Sequence, residues 1–231
     1  MTEAISDMNL DLGPVWLTLQ LAAVTVALLL VVGTPLAWWL AHTRTRVKPL
    51  VEAVTALPLV LPPTVLGFYL LVLFAPGGAL GGPWLALTGE TLTFSFSGLV
   101  LASMLYSLPF VVQPLQGAFE AVGRAPLEAA AVLGARPLDA FFTVASPLAA
   151  RGYLTAIVLG FAHTLGEFGV VLMVGGNIPG RTRVISIAIY EQVETLNFAA
   201  AHVLSAGLLA FSFAVLVLVY VLNRRYPVHA A

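Results

Sequence analysis

The sequence predicts an all-α membrane protein that crosses the bilayer about five times, on two observations. Apolar residues make up 60% of the chain and charged residues 9%, against about 25% charged in a soluble domain. Five stretches also approach the roughly 20 apolar residues that a helix needs to span hydrocarbon. Backbone groups cannot go unpaired in lipid, and continuous apolar runs of this length form helices rather than barrel strands. Residues 1–231 are therefore read as a single transmembrane domain.

The first span is expected at Pro14–Ala41. Ahead of it stand Glu3, Asp7 and Asp11 with no Lys or Arg. The basic head of a cleaved signal peptide is missing, so this span is expected to stay as an anchor. The second, Ala53–Ala75, contains Leu57-Pro58-Leu59-Val60-Leu61-Pro62-Pro63-Thr64-Val65-Leu66-Gly67. Two adjacent prolines remove hydrogen bonds and clash with the preceding turn, so a break or kink is expected there. The freed carbonyls then need a neighbouring helix, water or a passing ligand. Spans three to five are placed at Phe94–Ala118, Gly152–Val174 and Phe198–Leu222, the fourth carrying Glu167. A short helix around Trp84–Thr91 would add a sixth crossing only if it traversed the bilayer.

Basic residues orient the chain. Arg44, Arg46, Lys48, Arg124, Arg136, Arg151, Arg224 and Arg225 fall on one side of this topology, and Arg181 and Arg183 on the other. Eight against two is the asymmetry of the positive-inside rule. The N-terminus is thus expected outside and the C-terminus in the cytoplasm.

That orientation places a polar island, Arg124–Arg151, in the cytoplasm, with residues 120–150 as the loop that carries it. Its centre reads Arg124-Ala125-Pro126-Leu127-Glu128-Ala129-Ala130-Ala131-Val132-Leu133-Gly134-Ala135-Arg136-Pro137. Pro126 suits a first helical turn, and Leu127–Leu133 continues it with good helix formers. Gly134 stands where a left-handed cap would end the helix. A second short helix, Pro137–Ala145, would be stopped by Pro147. The pair makes a knob, with Leu133, Leu138, Phe141 and Phe142 available as a hydrophobic footing. Its physics fits a docking surface or an ordinary interfacial loop.

Several functions are excluded or left without support. The one lysine, Lys48, sits in Arg46-Val47-Lys48-Pro49, so the chain has no phosphate-binding loop. Cysteine is absent, and His42, His163, His202 and His229 are scattered, which removes disulfides and thiol catalysis and leaves no metal motif. A net charge of −1 points to no nucleic-acid partner. Any energy-driven activity must draw on a partner or on an ion gradient.

The island resembles the EAA loop of ABC-importer permeases: Glu-Ala-Ala, three residues, Gly, nine residues, then Ile-x-Leu-Pro. Glu128, Ala129, Ala130, Gly134 and Pro147 stand at the matching positions, while Val144 and Ser146 replace the isoleucine and leucine. LPLVLPPTVLG, GEFG (Gly166–Gly169), GGNIPGRTR (Gly175–Arg183) and Ile187-Ala188-Ile189-Tyr190 resemble the molybdate branch of that family, with sulfate permeases sharing the EFG element. The resemblance implies a type I importer fold and a homodimeric pore working by alternating access. It also implies a cytoplasmic ABC ATPase dimer that binds ATP and Mg, and an external oxyanion-binding protein. No cofactor is implied in this chain. Glu128, Ala129, Ala130, Gly134, Arg136 and Pro137 would contact the ATPase. Molybdate, tungstate or sulfate would be the cargo.

Pathway or gate candidates are Pro62, Pro63, Thr64, Ser103, Ser107, Gln113, His163, Thr164 and Glu167. They offer hydroxyls, amides and freed backbone dipoles, because a passage must bind weakly enough to release. A carboxylate within a span costs about 2.5–3.5 kcal/mol on insertion scales, so Glu167 needs a partner. His163, four residues earlier, is on the same helical face and is the expected one. The pair then braces the helix or gates the path, since a negative charge is an odd contact for a dianion. Arg181 and Arg183 would meet the binding protein or belong to a solvated loop. A secondary transporter using His163 and Glu167 as a proton relay remains open. Discontinuous helices in both halves are its usual mark, and no counterpart of the Pro62-Pro63 break is expected in the second half. A purely structural subunit is also open.

Overall fold

The computed structural model describes residues 11–225, all of whose regular structure is helical. The expectation drawn from Glu3 and Asp7 lies outside the described residues. Helix α1 (Gly13–His42) runs unbroken through Pro35. It packs along α5 (Phe96–Val122), which in turn packs along α8 (Ala150–Leu165). These three form the centre of the molecule.

Their contact is made by aliphatic side chains and small residues, the usual means of close helix approach in lipid. Around the Val122 end of α5, Leu29, Leu40, Val111, Val112, Leu115, Phe119 and Ala156 form one buried cluster. At the Phe96 end, Leu21, Leu99, Val171, Val184 and Ile187 form another. Gly152 lets α8 approach so closely that a Cβ there would collide with the Cβ of Ala118. Ser95 caps α5 by accepting from the Gly98 N–H at 3.1 Å, which satisfies an otherwise orphan donor.

The second predicted span is two helices, α2 (Lys48–Val60) and α3 (Pro63–Phe74), bent by 112° at Leu61–Pro62. Proline chemistry gives the break; the steep angle lets α3 lie against α9 (Gly169–Gly175), where Leu70, Phe74, Val170 and Val174 share a cluster. Between α3 and α5 lies α4 (Gly81–Thr88), whose eight residues reach about 12 Å, too short to cross. The fourth predicted span requires correction. It is not one helix over Gly152–Val174: α8 ends at Leu165, and α9 starts only at Gly169. The second half therefore does hold a counterpart of the Pro62-Pro63 break.

Among the described residues three helices are long and apolar enough to cross a membrane, or up to five if two bent pairs, α2 with α3 and Pro137–Leu148 with α8, each count as one span. The last long helix, α11 (Phe198–Arg225), turns its apolar surface outward, with Leu209 73% and Phe213 68% exposed, as lipid contact requires. Before it, α10 (Ile185–Glu194) is stitched to α1: the Ile185 N–H donates to Thr18 Oγ1 at 2.8 Å.

The polar island forms α6 (Ala125–Val132) and α7 (Pro137–Leu148). Gly134 adopts φ +90° between them, the expected left-handed cap. Pro147 does not end the second helix at Ala145 as expected. The helix widens into a π turn over Phe141–Ala145, and Pro147 enters the first turn of the continuation Ser146–Leu148.

Candidate functional site

The two helix breaks meet. At Gly169 a Cβ would lie 2.8 Å from the Cβ of Pro63, so only glycine allows the start of α9 to rest on the start of α3. Beside this junction is a cavity of about 570 Å³ lined by Pro63, Thr64, Tyr106, His163, Gly166 and Glu167, among others. Irregular backbone at membrane depth is tolerated where it is buried in protein or lines a cavity, and paired broken helices are a recurrent way to build a transport site. Tyr106 is the eleventh residue of α5, so the cavity lies about 15 Å in from the Phe96 end.

The expected His163–Glu167 pair does not form. His163 is on the last turn of α8, but the helix stops at Leu165 and Glu167 leaves the helical path, so the four-residue spacing no longer brings the side chains together. The His163 Nδ1 instead pairs with Ser107 Oγ at 2.9 Å. Its ring stacks on Phe110 at 3.9 Å between centroids and tilts against Tyr106 at 4.6 Å. Ser107 Oγ also pairs with Thr164 Oγ1 at 3.0 Å. Ser107 and Thr164 are thus buried props of His163 rather than cavity walls.

Glu167 is fixed through its backbone, whose carbonyl accepts from Ser186 Oγ at 2.6 Å. Its side chain is 4% exposed, and neither carboxyl oxygen has a hydrogen-bond partner. Ser103 Oγ, also buried and outside hydrogen-bond geometry, is the polar side-chain atom beside this carboxyl. Of the nine pathway candidates, Pro63, Thr64, His163 and Glu167 line this one cavity. Pro62 precedes α3 as its exposed cap residue. Gln113 lies elsewhere, at a 220 Å³ cavity with Glu52, Thr55 and Gln116.

That second cavity adjoins a polar cluster that the sequence did not suggest. Lys48 Nζ lies 3.6 Å from Glu52 and 3.5 Å from Glu120, and Gln116 Nε2 donates to both carboxylates at 2.8 and 3.0 Å. Tyr106 and Phe110 were missed as well. Their four-residue spacing on α5, beside Ser103 and Ser107, is the signal that would have found them.

At the island, Glu128, Ala129, Gly134, Arg136 and Pro137 are exposed and Ala130 is half-buried. Leu133 is 88% and Leu138 72% exposed. Phe141 turns the other way, with Trp38 at 5.0 Å and Phe119 at 6.0 Å between ring centroids. One aromatic group thus roots the island in α1 and α5, while its apolar tip is left uncovered. At the opposite end of α5, Arg183 is occupied within the chain, by Glu191 at 3.1 Å and by Asn177 Oδ1 at 2.6 Å. Arg181 is exposed.

This arrangement has relatives. The chain is 59% identical over 216 residues to the molybdenum transport system permease protein ModB of Azotobacter vinelandii, covering 94% of this chain and 95% of that one. It is 39% identical to ModB of Escherichia coli K12, over 78% of this chain and 79% of that one. Against the sulfate transport system permease protein CysT of the same organism, identity is 33%, with coverage of 85% and 70%. The fold matches a solved bacterial ABC transporter involved in the import of the acidic polysaccharide alginate. The TM-score is 0.72 at 16% identity, over 97% of this chain and 81% of that one. Residues 33–227 fit the model of the binding-protein-dependent transport system inner membrane component, and the chain belongs to that family as a multi-pass protein of the inner membrane.

Proposed function

We propose that this chain is the membrane subunit of an ATP-driven importer of molybdate, with tungstate as an alternative cargo of the same shape. The near full-length kinship with the Azotobacter molybdenum permease carries this reading. Two copies form the pore and work by alternating access. A pair of ABC ATPase subunits binds ATP and Mg, and an external binding protein delivers the oxyanion.

The geometry supports a division of labour. Glu128, Ala129, Ala130, Gly134, Arg136 and Pro137 present the island to the ATPase. Phe141, held between Trp38 and Phe119, passes its movement to α1 and α5. The cavity at the two helix breaks is the constriction through which cargo passes, with Pro63, Thr64, His163 and Glu167 on its wall. Ser107 and Thr164 hold His163 in place. Arg181, being exposed, is the better placed arginine for the binding protein, whereas Arg183 shapes the loop that carries it.

The test is uptake of labelled molybdate by vesicles holding the full complex, with and without ATP and with sulfate as competitor. Gly134→Pro is compared with the native chain. ATP-dependent uptake that the variant loses while still inserting, and that sulfate competes for weakly, is the expected result. Strong sulfate competition would move the cargo to sulfate. Uptake driven by an ion gradient and indifferent to ATP and to Gly134 would overturn the importer reading.

A further inference from the structure

Glu167 poses a chemical problem for an oxyanion path. A carboxylate has only acceptors, and so does a fully deprotonated tetrahedral oxyanion. An ionised Glu167 on the cavity wall would repel the cargo. It would also be an isolated buried charge, which costs several kcal/mol when no partner compensates it. No charged partner is present: no Lys or Arg lines the cavity, and the polar side chain beside the buried carboxyl is the neutral hydroxyl of Ser103. The titratable groups that face it are Tyr106 from α5 and His163 from α8, while α5 also contributes the Ser103 hydroxyl, α3 Thr64, α9 Gly169 and α10 Ser186.

Both problems vanish if the carboxyl keeps its proton. A carboxylic acid has one O–H donor, carries no charge and needs no counterion. The remaining polar wall is of the same kind. Thr64 and Tyr106 bring hydroxyls, and α3 begins here without a side-chain hydrogen bond to cap it. Neutral donors suit transit better than fixed cations, because cargo must leave as readily as it enters.

We propose that Glu167 acts as a neutral carboxylic acid that donates a hydrogen bond to the tetrahedral oxyanion passing the cavity, together with Thr64 and Tyr106. The proton stays on Glu167 throughout. This proposal rests on the importer reading and identifies the group in the path that recognises the cargo.

The experiment uses the complete complex in proteoliposomes, with labelled molybdate as the probe. Uptake and ATP hydrolysis are measured together for the native chain, Glu167→Gln and Glu167→Met. Glutamine is close in shape and keeps a neutral donor; methionine is of similar length and has none. The glutamine variant is expected to move molybdate within about twofold of native. The methionine variant should lose about tenfold in molybdate moved per ATP hydrolysed, the effect of one missing buried hydrogen bond. Methionine equal to native would make Glu167 a filler and overturn the proposal. A folded, assembled glutamine variant that fails would overturn it as well, because the ionised form would then be required. If the methionine variant does not assemble, the glutamine result decides alone. Absence of ATP-dependent uptake by the native complex would instead overturn the importer reading beneath it.

Discussion

Gly134 isolates a purely conformational contribution to the island. Its φ of +90° belongs to the left-handed region, and a Cβ there would meet nothing within 4 Å. Gly134→Ala therefore adds no clash, only backbone strain of about 1 kcal/mol. Thermal unfolding in detergent should barely change, since the island is exposed and contributes little to the core. Capture of the ATPase should weaken about fivefold, because the strain acts where the tip must be presented. Unchanged capture would show that the cap geometry is not part of the contact. Gly134 was legible in the sequence because a helix cap is a local matter, settled within a few residues. The environment of Glu167 was not. Its pairing with His163 assumed a helix that continues, and where a helix stops depends on what packs against its end.

Among elements, α8 and α5 pack closely, and Gly152, near the start of α8, is where they approach at Ala118. Gly152→Val would drive a side chain into Ala118, and overpacking of this kind costs about 1–3 kcal/mol. Gly207→Val is the control, since nothing lies within 4 Å of a Cβ there. A clear loss of thermal stability for the first variant alone is the expected outcome; equal melting of both would mean that the joint can open without cost. The break after α2 could be read from Pro62-Pro63, because proline acts on its own turn. The break after α8 could not, because Gly-Glu-Phe-Gly sits inside an apolar run and only its packing on Pro63 explains it. Equally hidden was the aromatic group of Trp38, Phe119 and Phe141, whose members are scattered over three elements. Periodicity reports which face is apolar but not which distant ring it meets.

At the scale of the whole molecule, orientation decides whether the island can reach an ATPase at all. The bias of basic residues predicts Arg136 in the cytoplasm and Arg181 outside. The fold separates them in a way that can be tested. The loop of Arg181 adjoins the start of α5, where the Phe94 N–H donates to the Val174 carbonyl at 2.9 Å. The island follows the other end of the same helix, and 27 helical residues span about 40 Å. Because cysteine is absent from the chain, a single introduced cysteine reports its own side without background. Arg136→Cys should react with a membrane-impermeant maleimide only in inverted vesicles, and Arg181→Cys only in intact cells or spheroplasts. Both positions reacting from one side would contradict a bilayer crossing along α5. Exchange of the two patterns would turn the island outward and remove the ATPase from its reach, whatever the kinship of the chain.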